Sequence, residues 1–142
     1  CPAPYSSLRP FWFGCYFFHL KNVSTPDHAY DVCRQHSEGK SVSLETFPEY
    51  KAVEKTILAN PVYSTPVSRM YVLGTVQINS TYHWQSDNTT HLPDWGWKSD
   101  LVQHDYGHVV VFVHFYNSYY MAASGRPDFK DVFASTICEW PA

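Results

Sequence analysis

Residues 95–110, WGWKSDLVQHDYGHVV, gather three aromatic rings, two imidazoles and two carboxylates ahead of a β-branched run. Such a set admits two kinds of metal chemistry. Carboxylates with neighbouring neutral oxygens suit calcium, which takes six to eight oxygen ligands. His104 and His108, four apart and close to Asp100 and Asp105, would offer two imidazoles to zinc if the segment were helical. The pattern is not helical, however, and the chain has eight histidines, so pairs of this spacing arise without selection. They are read, with His91, as surface or strand-edge residues, and no metal is assigned. His114, inside VFVHF, is read as a satisfied or edge-facing strand residue. Neither a nucleophile elbow nor a zinc-protease helix nor a phosphate loop occurs, so the chain is expected to bind and not to catalyse.

Composition supports binding. Charged residues are 16% against roughly 25% in an ordinary soluble protein, while aromatics reach 18%. A net charge of −3 with scattered Lys and Arg leaves no footprint for nucleic acid. The longest apolar run, VVVFVHF (109–115), falls well short of the roughly 20 residues of a membrane span. Any attachment to a membrane must come through segments outside this chain. The length of 142 residues fits one domain, 1–142, expected to be a piece of a larger secreted or membrane protein. Cys1, Cys15, Cys33 and Cys138 form an even set without a CxxC pair, which favours disulfides over zinc. Asn22, Asn79 and Asn88 each head a glycosylation sequon. An extracellular glycoprotein is the expectation, and any leader would already have been removed.

The elements that must hold these residues follow from periodicity. FWFGCYFFHL reads as a hairpin or edge pair. STPDHAYDVCRQHSEG reads as a helix opened by Ser24 or Thr25 and Pro26, with Ala29 and Cys33 on one face and Gly39 as its stop. A short strand, Val42 to Leu44, precedes a second helix. That helix starts at Thr46 and Glu49, which have capping-box spacing, with Pro48 in its first turn and Tyr50, Val53, Ile57 and Leu58 on its apolar face. Beyond Asn60-Pro61 only strands and loops are predicted: RMYVLGTV, TYHWQSDN, HVVVFVHF, YYMAAS and ASTICEW, with a long loop before residue 108. Two helices and several antiparallel strands make the fold class α+β.

The order CP, GCYFF, AYDVC, SVSLET, EYKAVEKTIL, VLG, YHWQSDN, LPDWGW, FKDVF and TICEW resembles the C-type lectin-like domain, in its long form with an amino-terminal hairpin. Four cysteines alone allow three connectivities; the resemblance implies Cys1 with Cys15 and Cys33 with Cys138. It also implies where a calcium and sugar site would lie. Lys98-Ser99-Asp100 falls at the family's Glu-Pro-Asn or Gln-Pro-Asp position, Asp105 at its further acid, and Phe129-Lys130-Asp131 at its Trp-Asn-Asp strand. Lys98 and Lys130 stand where oxygen donors belong, and an ammonium close to the cation opposes it. Calcium is therefore not expected, and no other cofactor is. The inner disulfide of the family would fall near His108 or Val109 and near Ala134, where there is no cysteine. The long loop is then expected to rest on Trp95, Trp97 and Tyr106.

Trp84 and Trp95 match packing positions of the family. The expected ligand-binding set is Trp97, Lys98, Asp100, His104, Asp105, Tyr119 and Tyr120, on the long-loop face. Its expected use is calcium-independent recognition of a protein ligand or receptor. The alternatives are a calcium-independent lectin working through Trp97, and a structural module of an adhesion or matrix protein. Glycans at Asn79 and Asn88 would shield the TYHWQSD strand and direct a partner to the loop face.

Overall fold

Both long helices begin where the sequence supplies a cap. The Thr25 hydroxyl accepts from the His28 amide at 3.0 Å and the Thr46 hydroxyl from the Glu49 amide at 3.2 Å, each followed by a proline in the first turn. The computed structural model describes residues 1–8, 14–66, 68–78, 81–85, 92–93, 95–97, 109–124 and 129–140, with backbone alone at 77, 78, 109, 123 and 124. In chain order the elements are β1 (Ser6–Ser7), β2 (Cys15–His19), α1 (Pro26–Gln35), β3 (Lys40–Ser41), α2 (Phe47–Ala59) and α3 (Pro61–Ser64). The remainder is strand: β4 (Met70–Val72), β5 (Thr75–Ile78), β6 (Thr81–Trp84), β7 (Val109–Phe115), β8 (Ser118–Ser124) and β9 (Ala134–Trp140).

Several expectations need correction. A third helix, α3, follows Asn60, whose side chain accepts from the Val62 amide at 3.1 Å; one short turn carries too few residues for a readable period. The early strand is Lys40–Ser41, not Val42 to Leu44; the Val42 amide still donates to the Ile137 carbonyl of β9 at 2.8 Å, and Val42 and Leu44 are fully buried core. Helix α1 stops at Gln35, and it is Ser37 and Glu38, not Gly39, that take left-handed backbone. Gly39 is required by space instead, since a Cβ there would collide with the Tyr5 hydroxyl. Leu58, placed on the apolar face of α2, is 39% exposed.

The seven-stranded sheet runs β1-β2-β9-β4-β7-β8, with β3 also paired to β9, and β5-β6 form a separate two-stranded ribbon. Strand β9 is the hub. It runs antiparallel to β2 and β3 but parallel to β4, so the sheet is mixed where an antiparallel one was expected. Alternation divides its side chains between two layers. Tyr71, Val110, Phe112, Tyr119, Met121 and Ile137 join Tyr50, Val53 and Ile57 of α2 in one core. Val72, Val111, Ala122 and Ala134 join Ala29 and Val32 of α1 in a second. Two disulfides, Cys1–Cys15 and Cys33–Cys138, close the hairpin and tie α1 to β9.

Candidate binding site

Strand β8 is an edge of the sheet, and an edge strand leaves every second residue's amide and carbonyl without a ladder partner. This one is covered by side chains of α2 and by residues 95–97. The Tyr119 amide donates to Glu54 Oε2 at 2.9 Å, and the Tyr50 hydroxyl donates to the Tyr119 carbonyl. The Met121 amide donates to the Gly96 carbonyl at 2.7 Å, and Trp97 forms a parallel bridge with Met121. Glu54 is buried and is also held by Lys51 Nζ at 3.0 Å.

The segment 95–97 is therefore anchored without a disulfide. Trp95 lies 5.6 Å from the Phe47 ring and 5.5 Å from the Tyr50 ring. The Trp97 indole donates from Nε1 to the Pro93 carbonyl at 2.8 Å, and both indoles pack on the core while remaining half-buried. Gly96 fits because its φ is 87° and because any Cβ would press on Tyr50 and Met121 at 3.0 and 3.1 Å. Above these contacts Phe47 is 43% exposed. Lys51 Nζ stands 5.5 Å from its ring centre and 5.3 Å from that of Tyr50, within cation–π range. The result is a preformed aromatic surface with one cation beside it.

Of the residues named from sequence, Trp97 stands half-buried beside this surface, two residues on from Trp95, and Tyr120 lies half-buried on β8. Tyr119 must be withdrawn as a binding residue. It is 0% exposed, because its parity on β8 turns its ring toward α2 and only its neighbour Tyr120 toward the other face. Lys98, Asp100, His104, Asp105 and Tyr106 lie outside the described residues, as do Asn79 and Asn88; Asn22 is exposed. Trp84 is wholly buried, and the half-buried His114 ring sits 5.1 Å from that of Tyr119.

The two motifs whose positions the resemblance implies fall elsewhere. Phe129-Lys130-Asp131 lies between β8 and β9, with Phe129 buried in the α1-side core, and is not a strand. The strand that follows β7 and pairs with it through the hairpin is Ser118–Ser124, SYYMAAS, which has no carboxylate or amide side chain. Val109 faces Ser124 across that ladder, whereas Ala134 is on β9 with β4 between it and β7, so 109 and 134 are not bridgeable positions. Among the described residues no group of three or more His, Cys, Asp or Glu side chains could hold a metal ion. The donors offered by β8 do not fit a calcium site, which needs several carboxylate or amide oxygens.

Sequence reasoning missed Glu54 and two further acids. Glu49, named only as a cap partner, accepts from the Tyr16 hydroxyl at 2.5 Å and from the Glu45 amide at 3.1 Å. Glu139 accepts from the Ser43 amide at 2.8 Å. Burial, and then the neighbouring Glu49, push the Glu139 carboxyl up to about 8. A helix glutamate facing inward has the same local sequence as one facing water, so only tertiary placement reveals these roles. A groove of about 530 Å³, lined by Tyr30, Arg34, Lys40 and Gln85 among others, runs beside α1 and not at the loop segment. Arg34 in it is paired with Asp31.

This topology, with its hub strand, two helices on opposite faces and disulfide-closed hairpin, is the C-type lectin-like fold. Three solved structures define the likeness. SPL-1, in complex with GlcNAc, superposes with a TM-score of 0.73 at 16% identity over 98% of this chain and 93% of its own. The C-type lectin domain of murine dendritic cell inhibitory receptor 2, in complex with N-glycan, gives 0.70 at 15% identity over 98% and 97%. Human lithostathine gives 0.70 at 19% identity over 98% and 98%. No family model and no curated protein sequence matches the chain.

Proposed function

We propose that the chain is one extracellular domain, 1–142, that acts as a non-enzymatic binding module and recognises a protein partner without calcium. The partner meets the long-loop face, at the surface built by Phe47, Trp95, Trp97 and Lys51. The observation that carries this reading is the covering of the β8 edge by Gly96, Trp97, Glu54 and Tyr50. These contacts support a loop base held by packing and hydrogen bonds rather than by a cation. Preformed aromatic surface with an adjacent cation is the composition of energetic centres in protein interfaces. Two disulfides in a chain without a free cysteine favour an oxidising, extracellular compartment. Among the described residues no helix is long and apolar enough to cross a membrane.

A calcium-independent lectin is the second reading, favoured by likeness to domains solved with GlcNAc and N-glycan. Capture from extracellular extract in chelator separates the two. The protein reading expects a partner that survives glycosidase treatment of the extract and is lost with Phe47→Ser and Trp97→Ala. Capture abolished by the glycosidase supports the lectin reading instead.

A further inference from the structure

The β7–β8 hairpin turns on only two residues, Tyr116 and Asn117. Tyr116 has a φ of 57°, at the first central position of a two-residue turn, where glycine is the favoured residue. It is 82% exposed, so its ring gains almost nothing from folding while its backbone is strained. Phe115, 40% exposed, meets it edge to face at 4.5 Å with planes 72° apart, and Tyr120 lies 6.5 Å from Phe115. The sheet face that carries Phe115 and Tyr120 is buried at Val111 and Ala122 but loses its cover toward the tip. The tip lies about 20 Å along β7 from the strand's start, at about 3.4 Å per residue, and so is distinct from the end that the long loop feeds.

We infer that this tip is a second binding site, for a neutral saccharide. Size and charge decide the class. The two exposed rings offer on the order of 250 Å², against about 800 Å² on each side of a stable protein interface. A protein cannot enlarge the contact by strand addition, because the outer groups of Tyr119 and Met121 are taken by Glu54, Tyr50 and Gly96. From 109 to 124 there is no Lys, Arg, Asp or Glu. Of the charged groups that reach this hairpin, Glu54 bonds the Tyr119 amide, Arg69, just before the neighbouring β4, bonds the Leu20 carbonyl and Ser135 hydroxyl, and His114 lies against Tyr119 on the opposite face. This argues against a sulfated, phosphorylated or sialylated ligand and against anionic lipid. A corner of two crossed rings accepts the C–H face of one sugar ring. The Asn117 amide and the Ser118 hydroxyl stand beside it in sequence to bond ring hydroxyls.

The test is a titration by amide NMR, in chelator, with glucose, galactose, mannose and GlcNAc and their short oligomers up to about 20 mM, the range of weak single-site binding. Expected are saturable shifts centred on 115–118 and 120. Tyr116→Asn removes the ring and tolerates the left-handed backbone; it should weaken binding about tenfold or more while the melting temperature holds or rises. Tyr116→Phe should retain binding. The inference is overturned if no saccharide shifts the tip, if Tyr116→Asn binds as well as the parent, if a heparin fragment binds the tip more tightly than the neutral sugars, or if phosphatidylcholine vesicles and no sugar engage it.

Discussion

The two sides of the sheet are held by different means. At β2, β3 and β9 the chain is stapled by Cys1–Cys15 and Cys33–Cys138, with β9 laddered antiparallel to β2 on one flank and to β3 and, in parallel, β4 on the other. At β8 no covalent link exists among the described residues; the edge is closed by Glu54, Tyr50 and Gly96 acting on backbone groups of Tyr119 and Met121. The stapled side presents mostly ladder and helix. The side held by hydrogen bonds presents the aromatic surfaces, at Phe47 and Trp97 and again at the tip. Closing an edge without covalent constraint leaves the adjacent loop base free to vary in composition, which suits the recognition proposed for it.

Breaking the stapled side should have the largest effect. Cys138→Ser opens a loop of 105 residues and is expected to cost about 4–5 kcal/mol, whereas Cys1→Ser, with a separation of 14, should cost about 3. Urea denaturation of the two variants checks the order. On the other side Glu54→Ala strips the Tyr119 amide of its acceptor and should cost about 2 kcal/mol, with hydrogen exchange accelerated at Tyr119 before it is at β9. Equal acceleration at both strands would mean that β8 is not separately closed. Trp97→Phe keeps the packing but loses the bond to Pro93 and should cost about 1 kcal/mol.

Titration sharpens the stapled side independently of these substitutions. The folded Glu139 carboxyl is raised to about 8 from 4.5 by burial and by Glu49. Protonation is thus favoured by folding, so this contribution to stability is whole below the unfolded value and is lost as pH rises toward 8. Melting temperature should fall between pH 5 and 8.5 in the parent and fall less in Glu139→Gln. Parallel profiles would remove Glu139 as the source.

The same contrast governs what could be read from sequence. Strands β7, β8 and β9 stand out in HVVVFVHF, YYMAAS and ASTICEW as short apolar and β-branched runs, and both long helices carry Thr caps with prolines, so those elements were legible. The cysteine pairing came from resemblance, since spacing alone left it open. The site was less legible. Nothing local to YY says that Tyr119 and not Tyr120 turns inward; that depends on which face α2 covers. Glu54 lies in EYKAVEKTIL four residues from both Tyr50 and Leu58 of the expected apolar face, but its task is set by a strand 65 positions away. Phe129-Lys130-Asp131 is a strand only in what the resemblance implies, whereas the strand that follows β7 through the hairpin is SYYMAAS.

The central claim is that packing and hydrogen bonds, not a cation, shape the base of the long loop. Thermal unfolding in millimolar calcium and in chelator tests it most directly, because a ligand bound only by the folded state stabilises that state by mass action. Superimposable transitions are predicted. A clear rise of the melting temperature in calcium, abolished by chelator, would contradict the account and return Asp100 and Asp105 to the role of metal ligands.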